Sequence, residues 1–180
     1  MAPIRLPRGS NVVIKTQAEI VVYIRALGLP EVMVEIWSGR GLPDGFSRHF
    51  HAPARFMNRW ERLARLDSRY LDYIPLLEPE DDAVYAFSAN DHVYLERYFD
   101  DREPTLIGRR FNQMLSFIFV GLADSGLEEL AIEASVSLGF PYIEQFSSFC
   151  RDPGPGNSLE TRQRFVELIG SLESRRESSY

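Results

Sequence analysis

The hydrophobic period of this chain changes twice, and that change bounds what the chain can fold into. Three runs, Tyr73–Leu77, Ala83–Ser88 and Val93–Phe99, have the composition and alternation of strands and are separated by acidic or Asn/Asp-bearing turns. Directly after them Phe111, Met114, Leu115, Ile118, Phe119 and Leu122 recur at helical spacing. Short strands joined by tight turns pair antiparallel, and an amphipathic helix beside them needs their apolar face to bury its own stripe. The pattern predicts an α+β fold, a central and mostly antiparallel sheet packed by several helices. In the third run Tyr94, Glu96 and Tyr98 share one side and Val93, Leu95 and Phe99 the other, so one side is expected to pack inward and the other to show tyrosines to solvent.

Further helices flank this middle section. Thr16 with Glu19 reads as a capping box, and Ile20, Ile24 and Leu27 continue at helical spacing to a stop at Gly28, which predicts a helix over 17–27. Val32 to Trp37 alternates and reads as a short extended piece before a turn at 38–43. Pro53 opens a helix to about Arg65 with Phe56, Trp60 and Leu63 on its apolar side and Arg55, Arg59 and Arg62 stacked on the other. Ser125 with Glu128 predicts a helix through Leu138, and Tyr142 to Cys150 a short helical piece. Asp152-Pro-Gly-Pro-Gly-Asn157 is the clearest linker, after which Asn157 and Glu160 cap a last helix through Phe165, Leu168, Ile169 and Leu172. The expected organisation is one domain over 1–151, a Pro/Gly linker over 152–157 and a C-terminal helix over 158–180.

At 180 residues the chain is long enough to bury about 70% of the surface its unfolded form exposes. With 44% hydrophobic and 26% charged residues it has the composition of a globular domain. The longest uncharged run, between Arg110 and Asp124, falls short of the ~20 residues a membrane helix needs. Met1 to Ser10 has no apolar stretch of the kind a secretory leader carries, so a cytoplasmic location is expected. Cys150 is the sole cysteine, which excludes an internal disulfide and any multi-cysteine metal site, and it is expected to be a buried thiol.

Charge is uneven. Residues 1–70 hold eleven Lys/Arg against six Asp/Glu, whereas 71–180 hold nine against twenty, within a net charge of −6. Glu78, Glu80, Asp81 and Asp82 cluster after one predicted strand, and Asp100, Asp101 and Glu103 after another. Such loops discourage edge-to-edge pairing of sheets. They also suit a basic protein partner, with charge steering association and Tyr85, Tyr94 or Tyr98 supplying contact area. The same acidity repels phosphate and argues against nucleic acid. The basic stripe at Arg55, Arg59 and Arg62 reads as a solvated helix face or as a contact for an acidic partner.

Catalytic inventories are thin. The chain has neither G-x-S-x-G nor a phosphate-binding G-x-x-x-x-G-K-[ST] loop, and its one lysine is Lys15. No cofactor is expected. His49 and His51 form an H-x-H pair that, completed by Asp44 or a distant carboxylate, is the basis of a small metal-dependent hydrolase as an alternative reading. His92, after Asn90 and Asp91, fits a hairpin turn.

Five blocks carry a family resemblance: Phe56-Met-Asn-Arg-Trp-Glu-Arg-Leu63, Tyr73-Ile-Pro-Leu-Leu77, Ala83-Val-Tyr-Ala-Phe87, Val93-Tyr-Leu-Glu-Arg-Tyr98 and Arg110-Phe-Asn-Gln-Met-Leu-Ser-Phe117. In this order they resemble the SUKH superfamily, which contains Syd-like proteins and the SMI/KNR cell-wall-assembly-regulator family. The resemblance covers about residues 53–123. It implies an α+β fold and a role in protein binding rather than catalysis; bacterial members look like immunity proteins that neutralise polymorphic or contact-dependent toxins by occupying their surfaces. On this basis the chain is expected to be a non-enzymatic immunity protein, with Glu78, Glu80, Asp81, Asp82, Tyr85, Tyr94, Tyr98, Asp100 and Asp101 as its contact surface. The alternative is a regulatory adaptor unconnected with toxins.

Overall fold

A computed structural model describes residues 17–66, 70, 72–80, 82–99 and 103–178. The predicted capping residue Thr16 and the acidic residues Asp81, Asp100 and Asp101 lie outside that set, as do the side chains of Phe56 and Arg65. In chain order the elements are α1 (Gln17–Ala26), α2 (Glu31–Trp37), a single 3₁₀ turn (Phe46–Arg48), β1 (Phe50–His51), α3 (Pro53–Leu66), β2 (Tyr73–Pro79), β3 (Ala83–Ser88), β4 (Val93–Tyr98), β5 (Thr105–Gly108), α4 (Phe111–Asp124), α5 (Glu128–Ser137), α6 (Ile143–Arg151) and α7 (Ser158–Glu177).

The five strands form one sheet in the order β1-β2-β3-β4-β5, and every neighbouring pair is antiparallel. The predicted α+β architecture is what the chain adopts. Strand register follows the alternation, with two breaks: β4 pairs Tyr94 with Gly108 but Leu95 with Leu106, which leaves Ile107 extra on β5, and β2 pairs Pro75 with Ala86 but Leu77 with Tyr85, so Leu76 is an extra, bulged residue. The bulge lets Leu76 and Leu77, consecutive in sequence, both enter the main core. Without it the alternation of a strand would send one of them to the opposite face.

Helices cover both faces of the sheet. On one face Tyr85, Phe87 and Tyr94 pack into the main core with α4, where the ring of Tyr85 meets Phe117 and that of Tyr94 meets Phe111. On the other, α3 lays Trp60 against Tyr70 and Val84, the two rings 5.0 Å apart and edge-to-face. Arg97 lies buried on this side, its guanidinium 4.7 Å from the Tyr70 ring centroid. A solvated tyrosine face therefore does not form. The expectation rests on alternating polarity, but tyrosine buries its ring readily, and α4 covers the face that carries Tyr85 and Tyr94 while α3 packs on the opposite one.

Three local expectations change as well. Residues 31–37 form a helix rather than an extended piece. The buried positions there are Met33, Val34, Ile36 and Trp37, a helical set, and Pro30 occupies the N-cap with Glu31 in the first turn. Packing on the core outweighs the weak β preference of two valines and an isoleucine. At α5 the N-cap is Leu127 with no side-chain cap; Ser125 instead turns its hydroxyl back to the Gly121 carbonyl at 3.0 Å. Strands β1 and β5, two and four residues long, carry no pattern that marks them in sequence.

The last helix is capped as the sequence predicts: Asn157 Oδ1 accepts from the Glu160 N–H, and Glu160 Oε2 from the Asn157 N–H, both at 3.0 Å. It docks through Phe165, Val166 and Ile169, which are part of the main core. Gln113 links it to the start of α4. Its side-chain oxygen accepts from the N–H groups of Arg109 and Arg110, and its amide nitrogen donates to the Val166 carbonyl at 3.3 Å. At β5, which ends the strand order, Gln163 Nε2 donates to the Leu106 carbonyl at 3.1 Å. The linker is exposed, and the Arg164 guanidinium holds it through the carbonyls of Pro153 and Pro155.

Candidate functional site

A connected polar cluster lies where β1, β2, the β2–β3 turn and α3 meet. Pairing of β1 with β2 sets His51 opposite Glu78, which places His51 Nδ1 3.2 Å from Glu78 Oε2. From α3, Arg59 Nη1 donates to Glu78 Oε1 at 3.4 Å and Nη2 to Asp82 Oδ1 at 2.5 Å. The same guanidinium lies over the Phe99 ring, 4.1 Å from its centroid. Asp82 takes a left-handed conformation, φ +54°, which aspartate tolerates better than most residues. Its carbonyl accepts from the Phe99 N–H at 3.1 Å. One arginine thus fixes the β2–β3 turn to the end of β4 while engaging two of its carboxylates.

The predicted contact residues separate accordingly. Glu80 and Asp82 are exposed at the hairpin, Asp82 with 78% of its side chain open to solvent. Tyr98 is half-buried at the end of β4, opposite Ala83. Glu78 is buried and committed to Arg59 and His51, so it is a support for the hairpin and not a surface residue. Tyr85 and Tyr94 are each 4% exposed and are removed from the contact surface. Burial, with a smaller contribution from the Glu173 charge, pushes the Tyr94 hydroxyl well above the usual tyrosine range.

No match is found among protein-family models, curated proteins or solved structures.

The basic stripe of α3 is uneven in its surroundings. Arg55 and Arg62 are exposed, whereas Arg59, between them, is spent on the acidic hairpin. The i, i+4 spacing seen in the sequence puts the three on one side of the helix, but only the register of β1 with β2 reveals which of them has a partner. Of the two histidines considered as metal ligands, His51 contacts Glu78 and His49 caps the 3₁₀ turn. Among the described residues no group of three or more His, Cys, Asp or Glu side chains is placed to hold a metal ion. His92 sits in the β3–β4 turn at φ +54°, beside a Ser88 hydroxyl that donates to Asp91 at 2.9 Å. Cys150 is half-buried, and burial, reinforced by the charges of Glu128 and Asp124, pushes its thiol up to about 11, the opposite of what a thiolate nucleophile needs.

No helix among the described residues is long and apolar enough to cross a membrane. One feature that the sequence did not disclose is an open cleft of about 620 Å³ between α2, the turn at 40–44 and α5. It was hidden because residues 31–37 read as a strand, and a strand there builds no such wall.

Proposed function

We propose that the chain is a non-catalytic, cytoplasmic protein-binding module, an immunity protein of SUKH type that neutralises a bacterial polymorphic or contact-dependent toxin by covering its surface. The observation that carries this reading is the acidic turn after β2: Glu80 and Asp82 are exposed, and Asp82 is bonded to Arg59, whose guanidinium also meets Glu78 and the Phe99 ring. A rigid acidic projection gains affinity for a basic surface because little side-chain and loop ordering is left to be lost on binding. The antiparallel sheet followed by α4, the arrangement the SUKH resemblance implies, supports the same assignment. Inhibition is then stoichiometric occlusion and needs no chemistry from this chain.

The test starts with any toxin-like domain encoded beside this chain's own reading frame, produced separately and mixed with it. A one-to-one complex that abolishes the toxin's activity is the expected result. Replacing Glu80 with Lys should slow association about tenfold at low salt and flatten its dependence on ionic strength, as loss of electrostatic steering does. Stopped-flow association that is identical for Glu80→Lys and the parent protein at every salt concentration would remove the hairpin from the interface. Failure of any neighbouring toxin-like domain to bind would favour an adaptor unconnected with toxins.

A further inference from the structure

The cleft between α2 and α5 shares no residue with the acidic hairpin. Its walls are Val32 and Ile36 from α2 and Ile132 and Val136 from α5, and Leu42 and Pro43 of the intervening turn line it as well. The turn is seated against α5 by close approach. Gly45 adopts φ +79°, a conformation that favours glycine, and a Cβ there would lie 2.9 Å from Leu130 Cδ1, so a side chain would also require Leu130 to shift. The cleft is in the size range of binding sites, about 300–1,000 Å³, but it is open along its length rather than enclosed. Val136, in the last turn of α5, is 64% exposed at its lip, a large exposure for an aliphatic residue.

The charges lining the cleft that lack an ion-pair partner among the described residues are acidic. Neither α2 (EVMVEIW) nor α5 (EELAIEASVS) contains a basic residue. The one arginine lining the cleft, Arg40, is bonded to Glu35. Asp44 and Glu133, also on the rim, have no ion-pair partner among the described residues, and Glu128 and Glu129 extend the acidic side of α5. An apolar trough with an unneutralised acidic rim is complementary to a helix that presents leucine-like residues on one face and Lys or Arg beside them. A second copy of this chain is a poor occupant, because docking trough to trough would bring two acidic rims together.

We propose that this cleft is a docking groove for a basic amphipathic helical segment of another protein. The proposal is independent of the toxin reading and concerns a separate surface.

The probe is a fluorescein-labelled 14-residue amphipathic peptide of Leu and Lys, with a Leu/Glu peptide of the same apolar pattern as the charge control, followed by fluorescence anisotropy against the full chain. The Leu/Lys peptide is expected to saturate a single site and to weaken as salt is raised. Val136→Asp and Glu133→Lys should each weaken it at least tenfold, and both replace exposed residues, so folding is checked directly by circular dichroism. Leu168→Asp, at an exposed apolar position on α7, should leave binding unchanged. Three results would overturn the proposal: no saturable binding of the Leu/Lys peptide, equal binding of the Leu/Glu peptide, or binding insensitive to both groove variants. A concentration-dependent dimer in sedimentation equilibrium that Val136→Asp abolishes would assign the groove to a second copy and overturn it equally.

Discussion

Replacing Phe165 with Ala tests whether α7 belongs to the same cooperative core as the sheet and α4. The ring is fully buried, with centroids 4.8 Å from Phe149 and 5.9 Å from Phe146. Truncating a buried phenylalanine costs about 3–5 kcal/mol, the lost transfer free energy plus the cavity left behind. Two aromatic neighbours and the Gln113 bond to the adjacent Val166 carbonyl limit how far the site can collapse, which favours the upper half of that range. Against a total stability of about 5–15 kcal/mol this is a large loss. With a urea slope of about 2 kcal/mol per molar, the midpoint should fall by about 2–2.5 M with the slope unchanged. The assay is equilibrium urea unfolding followed by both tryptophan fluorescence and circular dichroism, with Leu168→Ala as an exposed control expected to cost under about 0.5 kcal/mol. A midpoint shift below about 0.5 M, or a transition that splits so that part of the helical signal melts first, would refute the placement of α7 in the shared core.

Two further outcomes follow from the buried and clamped groups. Arg59→Met removes the charge that faces Glu78 and Asp82; leaving a buried carboxylate with His51 alone should cost about 1–3 kcal/mol in thermal or urea unfolding, and a loss below about 0.5 kcal/mol would show that the hairpin is held by other means. The Cys150 thiol ionises near 9.0 in its ordinary state and near 11 here because burial disfavours the thiolate. Its folded value is the higher one, so its contribution to stability is complete below pH 9 and is lost as pH rises through 11. Wild-type protein should therefore lose stability relative to Cys150→Ala across that interval, and parallel pH profiles would contradict the burial of the thiol.

What the sequence discloses of this fold is what neighbouring residues decide. The limits of β3 and the start of α4 coincide with the predicted ones, because strand alternation and the Phe111 to Leu122 stripe are read over a few turns of chain. The Asn157–Glu160 cap is legible for the same reason, both partners lying within one turn. The hairpin network is not legible. His51 and Glu78 are 27 positions apart and are brought together by a strand of two residues, too short for any period to mark. Arg59 looks identical to Arg55 and Arg62 until that register is known. The cleft fails to appear for a related reason: Val32 to Trp37 satisfies a period of two on paper, and only the core against which Met33 and Trp37 pack selects the helix. The burial of the tyrosines is not legible because the sequence shows two amphipathic helices beside the strands, α3 and α4, without showing that they take opposite faces and that α4 covers the one with Tyr85 and Tyr94.

The bond from Gln163 to the Leu106 carbonyl gives the final helix a second consequence. An unprotected terminal strand is a template for strands of other molecules, and here one of its outward carbonyls is already occupied by a side chain from α7. The segment that tethers this helix, residues 152–157, is exposed and rich in proline and glycine, the kind of site at which proteases cut. A nick there followed by departure of the helix would open the aromatic core around Phe165 and free the Leu106 carbonyl at the sheet edge, so the last helix guards both at once.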